Sequence, residues 1–231
     1  MISAQTVKYS HVKPSIKTVP TGDLIEIEKC HSFLSELFKP GQVENLESFH
    51  ESLSSSQQPL VIPKMKTARI RDELAGVSVG AYLGEINAGI ILYSAVNPVF
   101  RRQGLYRNLR TSLIDSIKYE AISLINKQLN CVLSEVENKS LMHRLYQNKS
   151  DTLIAPCHYL QPQIQGLSAK SLLLVIQSKN WRKYTDHTYM KKIIFEIYRG
   201  IYRIADPARD DAFKLVIQSL DRNSQVSENH N

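Results

Sequence analysis

The residues best placed for chemistry lie between Ala88 and Leu113, in AGIILYSAVNPVFRRQGLYRNLRTSL. An apolar run from Ile90 to Val96 breaks at Asn97-Pro98 and crosses Arg101, Arg102, Gln103 and Gly104. A leucine-patterned stretch then begins at Leu105. A strand, a basic loop with one glycine and a helix start, in that order, build a phosphate site. The first N–H groups of a helix have no partner within it, and the helix dipole favours an anion there. Arg101, Arg102 and Arg107 add formal positive charge to the same place. A surface turn with solvated arginines is the competing reading. The apolar strand before the loop and the patterned helix after it are the context a phosphate site requires.

Several elements must hold that loop in place. A chain of 231 residues can build one full core, or one core plus an appendage. Mean hydropathy is mildly negative. No apolar run approaches the ~20 residues that span a bilayer, so no membrane span is expected. The first residues, MISAQTVKYSHVKPSIK, contain no continuous apolar stretch of the kind a secretory signal needs. Cys30, Cys131 and Cys157 are widely spaced and form no CxxC pair or zinc set. Free thiols in a reducing cytoplasm are the expectation. The net charge of +7 is uneven: residues 1–60 carry five Lys against seven Asp and Glu, so the excess lies downstream. A basic remainder suits a polyanionic ligand, and charge alone does not choose among coenzyme, nucleic acid and anionic membrane surface.

The pattern predicts a loosely ordered arm over residues 1–22. A helix follows from Asp23 to Phe38, then a short one from Val43 to Leu53 and a loop at Ser54 to Pro59. Strands are expected at Leu60–Ile62, Thr67–Leu74, Gly76–Leu83 and Ala88–Val96. Leu105, Leu109, Leu113, Ile117 and Ala121 repeat at i+4, with Ile114, Ile122 and Ile125 widening the stripe, which is an amphipathic helix of about five turns. A strand at Asn130–Val136, a helix at Asn138–Asn148 and strands at Thr152–Leu160 and Ser171–Gln177, around a loop at Gln165-Gly166, complete the sequence. The tail carries a helical stripe from Tyr189 to Ile204. A restart at Asp206-Pro207 follows, then a frayed end from Ser219.

Val96-x-Pro98-x-x-Arg101-x-x-Gly104-x-Tyr106 resembles the acyl-CoA signature of the GNAT acetyltransferase superfamily. Arg101 and Gly104 fall on its pattern, and Tyr106 stands where that family has Gly or Ala. The resemblance implies an α+β fold, with a central, mostly antiparallel sheet flanked by helices. The expected divisions are the arm at 1–22, an acyltransferase domain at 23–180 and a C-terminal helical extension at 181–231. It also implies that Arg101, Arg102, Gln103, Gly104, Leu105, Tyr106 and Arg107 hold the pyrophosphate of coenzyme A. Ala95 and Val96 would align the donor through their backbone. The strand at Cys131–Val136 would splay from Ser94-Ala95-Val96 and open a gap for the acyl group.

A tyrosine on the next helix often protonates the leaving thiolate in that family. Here Tyr146 follows Asn138 by one residue more than usual, and a half-buried structural tyrosine is the alternative. Glu135 is the first candidate for a base, with Glu137 two residues on and therefore on the same strand face. Glu85, in the turn before the Ala88–Val96 strand, falls too early. His143, three residues before Tyr146, is a further candidate. Each of these four is also read as structural or solvated, and water can serve as base. No Gly-x-Ser-x-Gly elbow, HExxH or P-loop is present. Cys157-His158 lacks metal spacing, and no metal is expected. Lys179 to Tyr184 mixes basic and aromatic residues and reads as a connection rather than a nucleic-acid surface.

The expected activity is therefore transfer of an acetyl group from acetyl-CoA, or of another acyl group from its CoA thioester, to a small-molecule or protein amine in a cytoplasmic enzyme. An acyl carrier protein or longer acyl donor is one alternative. A non-catalytic CoA-binding or partner-binding protein is the other. The tail helices are expected to pack on the core, with a homodimer or a cover over the acceptor site as alternatives.

Overall fold

The computed structural model describes residues 13–54, 56–57, 59–163 and 170–228. The expected loop at Gln165-Gly166 and residues 1–12 of the expected arm lie outside them. In chain order the elements are β1 (Ser15–Thr18), α1 (Leu24–Leu37), α2 (Leu46–Ser52), β2 (Ser56–Gln57), β3 (Leu60–Ile70), β4 (Glu73–Leu83), β5 (Ala88–Val96), α3 (Leu105–Ile125), β6 (Cys131–Val136), α4 (Leu141–Gln147), β7 (Thr152–Ile154), β8 (Tyr159–Gln161), β9 (Lys170–Gln177), α5 (His187–Glu196) and α6 (Asp211–Glu228). One sheet runs in the order β1-β3-β4-β5-β6-β9-β7, with β2 paired to β3 and β8 to β9. Its pairings are antiparallel except between β5 and β6, which are joined by α3 and therefore run parallel. This is the expected mixed fold, with a mostly antiparallel sheet flanked by helices.

α3 lies on one face, where Leu109, Leu113 and Ile117 are fully buried. Residue 80 must be glycine chiefly because the β5 backbone comes so close at the bulge, with α3 lying just above. A Cβ there would press into the Ile90 carbonyl oxygen and sit 3.2 Å from a Leu113 methyl carbon. Gly80→Ala is expected to cost about 2–3 kcal/mol through overpacking. Its melting temperature should fall by roughly 5–10 °C in a calorimetric scan. On the other face, α1 and α2 cover one half of the sheet through Ile27, Leu34 and Phe49. α5 and α6 cover the other half, where Ile193, Ile194, Ile197, Tyr198, Val216 and Leu220 join Ala88, Ile90, Leu133 and Ile176 in one cluster. The tail is thus part of the sheet's second layer.

Several local expectations are corrected. Leu60–Ile62 and Thr67–Leu74 are not separate strands. β3 runs through Pro63 and turns at Arg71-Asp72, both left-handed. Pro63 is tolerated because it lies between the β2 and β1 pairings, where its missing N–H leaves no ladder bond unmade. Ser15–Thr18 is strand rather than loose arm, and Lys66 Nζ donates to Thr18 Oγ1 at 2.7 Å. Ile122 and Ile125 do not widen the buried stripe but are exposed, while Ala121 beside them is fully buried. The Thr152–Leu160 run splits into β7 and β8. The Tyr189–Ile204 stripe becomes α5 followed by a π-helical turn at Ile197–Ile201. Asp206 caps only the short 3-10 turn Pro207–Arg209, and α6 then continues to Glu228 rather than fraying from Ser219.

Candidate active site

The basic loop leaves the end of β5 in a 3-10 turn, Pro98–Phe100, anchored by the fully buried Phe100. Two residues then adopt left-handed backbone, Arg102 at φ 65° and Gly104 at φ 75°. Left-handed residues in such a loop turn backbone N–H groups into an anion-binding concavity. α1, α2, α4, α5 and α6 each begin under a side-chain oxygen, from Asp23, Asn45, Ser140, Asp186 and Asp210 respectively. α3 begins at Gly104 with no side-chain cap, so its first N–H groups are free of one. No heavy atom lies within 4 Å of where a Cβ of Gly104 would stand. Arg101, Arg102 and Arg107 are exposed around this opening, and Arg101 Nε donates to Val96 O at 3.1 Å. Leu105 is buried and anchors the helix start.

Beyond the loop the sheet divides. β5 and β6 pair from Ala88↔Cys131 to Ile91↔Ser134 and no further. The break coincides with a bulge: Val79 faces Tyr93 while Gly80 faces Ile91, so Leu92 is the extra residue. From Ser94 on, β5 stays with β4, whereas β6 runs to Val136 along β9. On their gap side Ala95 and Val96 therefore have no strand partner among the described residues. Tyr106 and Arg110 from α3, Tyr146 from α4 and Ser134 from β6 crowd this gap. Arg110 Nη2 donates to the Tyr146 hydroxyl at 3.1 Å and to Gln177 Oε1 at 2.8 Å, and its guanidinium lies 5.8 Å from the centre of the Tyr146 ring. The Tyr146 hydroxyl is 3.5 Å from Ser134 Oγ, and the residue is 3% exposed. Burial pushes the Tyr106 hydroxyl up to about 12, with Tyr146 adding to the rise and Arg110 and Ser94 opposing it. Ser94 Oγ is buried there without an aligned hydrogen-bond partner among the described residues.

A cleft of about 770 Å³ opens on the opposite face. Glu44, Ser48 and Glu51 line one side, Leu92 and Tyr93 the floor, and Arg199 to Ala205 of the tail the other side. Glu135 sits at its base and accepts hydrogen bonds from the Tyr159 and Tyr202 hydroxyls. Burial raises the Glu135 carboxyl above the ordinary carboxylate range, and the two tyrosine hydrogen bonds only partly offset that. Glu44 is also raised by burial, against a Ser52 hydrogen bond and the charges of Arg203 and His31. Burial raises Tyr93 as well.

Ser134 and Glu135 are consecutive strand residues and so point to opposite faces. One looks toward Tyr146 in the gap, the other into the cleft. The sequence-predicted loop residues, Tyr146 and Glu135 thus fall at three places: the loop at the start of α3, the gap, and the cleft. Glu137 belongs to none of them. It pairs with Lys170 at 2.7 Å and Lys39 at 3.6 Å, and the Lys170 bond leads in lowering its carboxyl. His143 accepts the Lys139 N–H on Nδ1 at 3.0 Å. His158 meets Ser171 Oγ at 2.9 Å. Tyr184 in the Lys179–Tyr184 tract is buried and donates to Asn130 O. Burial raises all three thiols to about 12, which keeps them protonated and unreactive. Among the described residues no group of three or more His, Cys, Asp or Glu could hold a metal, and no helix is long and apolar enough to cross a membrane. Arg110, Tyr159, Tyr202, Tyr93 and Glu44 have no local sequence signal. Tyr202 reaches the site from 67 residues beyond Glu135, and Glu44 lies further off still, on the N-terminal side.

No protein-family model matches the chain, and no curated protein matches it. Solved structures do. A GNAT-family protein from Bacteroides thetaiotaomicron, assigned as an acetyltransferase, superposes with a TM-score of 0.60 at 16% identity, over 82% of this chain and 99% of that one. A protein from Staphylococcus epidermidis, likewise assigned as an acetyltransferase, gives 0.51 at 11% identity, over 72% of this chain and 100% of that one. At such identities the likeness is one of fold. With the parallel β5–β6 pair, the splay beyond it and the uncapped start of α3, it establishes that this chain has the fold of the GNAT acetyltransferase superfamily.

Proposed function

We propose that the protein is an N-acyltransferase that moves an acetyl group from acetyl-CoA to an amine by direct attack in a ternary complex. The observation that carries this reading is the division at β6: a half-buried carboxylate lining the cleft on one face and a buried phenol on the other, where β5 and β6 part. The donor diphosphate fits the open, uncapped start of α3, with Arg101, Arg102 and Arg107 around it. Its thioester arm fits the gap, where the unpartnered Ser94 hydroxyl and the free edge of Ala95-Val96 offer polar contacts. The amine approaches from the cleft. Glu135 takes its proton as the nitrogen attacks the thioester carbonyl, and a raised carboxyl is a stronger base for this step. The C–S bond breaks, and the leaving thiolate takes the Tyr146 proton. Arg110 occupies a lone pair of the Tyr146 oxygen, so the O–H is free to face the gap, and the guanidinium stabilises the phenolate that forms. The products are an N-acetyl amine and the free thiol, so no acyl-cysteine is needed.

Tyr106 favours a second reading. Its half-buried side chain stands beside Tyr146 and Ser94 where the family has Gly or Ala, which narrows the path of the donor arm. A donor delivered by an acyl carrier protein, or a longer acyl chain that displaces Tyr106, is that reading. Amine-dependent release of thiol from acetyl-CoA tests the first. Release with an amine from a panel of amino acids, polyamines and peptides is the expected result. Release only from carrier-bound or long-chain donors would transfer the conclusion to the second reading.

A further inference from the structure

The cleft opposite the gap carries charges of both signs, arranged unequally in depth. Its carboxylates are Glu135 at the base and Glu44 and Glu51 on the α1–α2 side, and its cations are Arg199 and Arg203, both from the tail. Arg203 donates to Glu51 at 2.8 Å across the cleft, joining residues 152 apart, with both partners well exposed. An exposed pair of this kind is worth little and is readily exchanged. Arg199 has a carboxylate, Glu196, only at 3.8 Å, beyond a hydrogen bond. Arg199 thus has no hydrogen-bonded carboxylate among the described residues, and Arg203 has an exposed one that an incoming anion can replace.

The backbone that presents them is unusual. Ile197–Ile201 is a π-helical turn, and Arg203 adopts left-handed backbone at φ 56°. Both conformations are uncommon for these residue types and occur where a side chain must be aimed. Tyr202, between these two features, sends its hydroxyl to Glu135. The tail thus shapes the base of the cleft with one residue and its wall with the next.

We infer that the acceptor is an amine that also carries a carboxylate, an amino acid or a compound derived from one, with Arg203 and Arg199 binding the carboxylate and Glu135 facing the amine. The inference rests on the acyltransferase reading above. A polyamine would set its second ammonium beside Glu44 or Glu51 and leave Arg199 and Arg203 without a ligand group to bind. A hydrophobic amine would leave both guanidiniums unused. On binding, the acceptor carboxylate replaces Glu51 as the partner of Arg203.

Matched pairs differing only in the carboxylate test this: lysine with cadaverine, ornithine with putrescine, and 4-aminobutyrate with propylamine. Each is titrated calorimetrically into the full chain, alone and with coenzyme A present, and assayed for acetyl transfer. The carboxylate-bearing member is expected to bind about 10-fold or more tightly in at least one pair, as a charge-assisted bond predicts. Arg203→Gln should abolish that preference while leaving acetyl-CoA affinity unchanged. Glu51→Gln should strengthen it, because it frees Arg203; a purely structural ion pair would not produce a gain. Equal binding within every pair, tighter binding of the diamines, binding of none of the carboxylate-bearing compounds, or a weaker preference in Glu51→Gln would each overturn the inference. Binding preference is read without turnover. Preference with no acetyl transfer would therefore support the inference while counting against the acyltransferase reading, and transfer with no preference would do the reverse.

Discussion

Glu135→Gln is expected to lower kcat by about 10²–10⁴-fold, the span that a positioned general base contributes. The variant keeps the size of the side chain and gives the Tyr159 and Tyr202 hydroxyls an amide to bond, so the cleft should persist. In the wild type, kcat should fall on acidification with a midpoint above the ordinary carboxylate range, because burial raises this carboxyl. The variant should lack that limb. The linked stability has a definite sign. A carboxyl whose folded pKa is raised binds its proton more tightly when folded, so stability is lost as pH rises from the unfolded value through the folded one. Glu135→Gln removes that loss, and its melting temperature at pH 8 should equal or exceed the wild type's. Activity within twofold of wild type would show that water takes the amine proton.

Tyr146→Phe is expected to lower kcat by about 10²-fold, with acetyl-CoA affinity retained, because the thiolate would leave without its proton. The phenol is also a hydrogen-bond acceptor for Arg110, so some stability is lost too. An unmade bond of this kind costs about 1–3 kcal/mol, and the melt should record it. The two effects separate in Arg110→Gln. This variant keeps the phenol but removes the cation that turns its O–H toward the gap, so kcat should fall less, by about 10-fold, again with acetyl-CoA affinity retained. If Tyr146→Phe loses stability but no rate, the tyrosine serves packing alone.

The parts of the fold that depend on local pattern were legible in the chain. β5 was expected at Ala88–Val96 and is found there, because an uninterrupted apolar run ends at Asn97-Pro98. The buried stripe of α3 from Leu105 to Ala121 follows its i+4 spacing. What was illegible depends on distant partners. The turn at Arg71-Asp72 falls inside the Thr67–Leu74 run and has no glycine or proline to mark it, although Asp72 tolerates its left-handed backbone better than Arg71 does. The pairing of Tyr202 with Glu135 spans 67 residues and depends on how the tail docks, which periodicity does not encode. Arg110 occupies an ordinary helix position. Its role becomes visible only once Tyr146 and Gln177 stand opposite it. Glu135 and Glu137 look equivalent in sequence, two residues apart on one strand face. Lys170 and Lys39 claim Glu137 outside the site, while two tyrosines hold Glu135 within it.

On the proposed function, the start of α3 and the gap beside it receive acetyl-CoA. Calorimetric titration of acetyl-CoA into the wild type and into Gly104→Val tests it most directly. Gly104 has positive φ and open space where a side chain would project, so valine both strains the loop and fills the opening. Micromolar binding is expected for the wild type, with a loss of at least about 10-fold in the variant, comparable to removing a charge-assisted contact. Absence of binding by the folded wild type, or equal binding by both proteins, would contradict it.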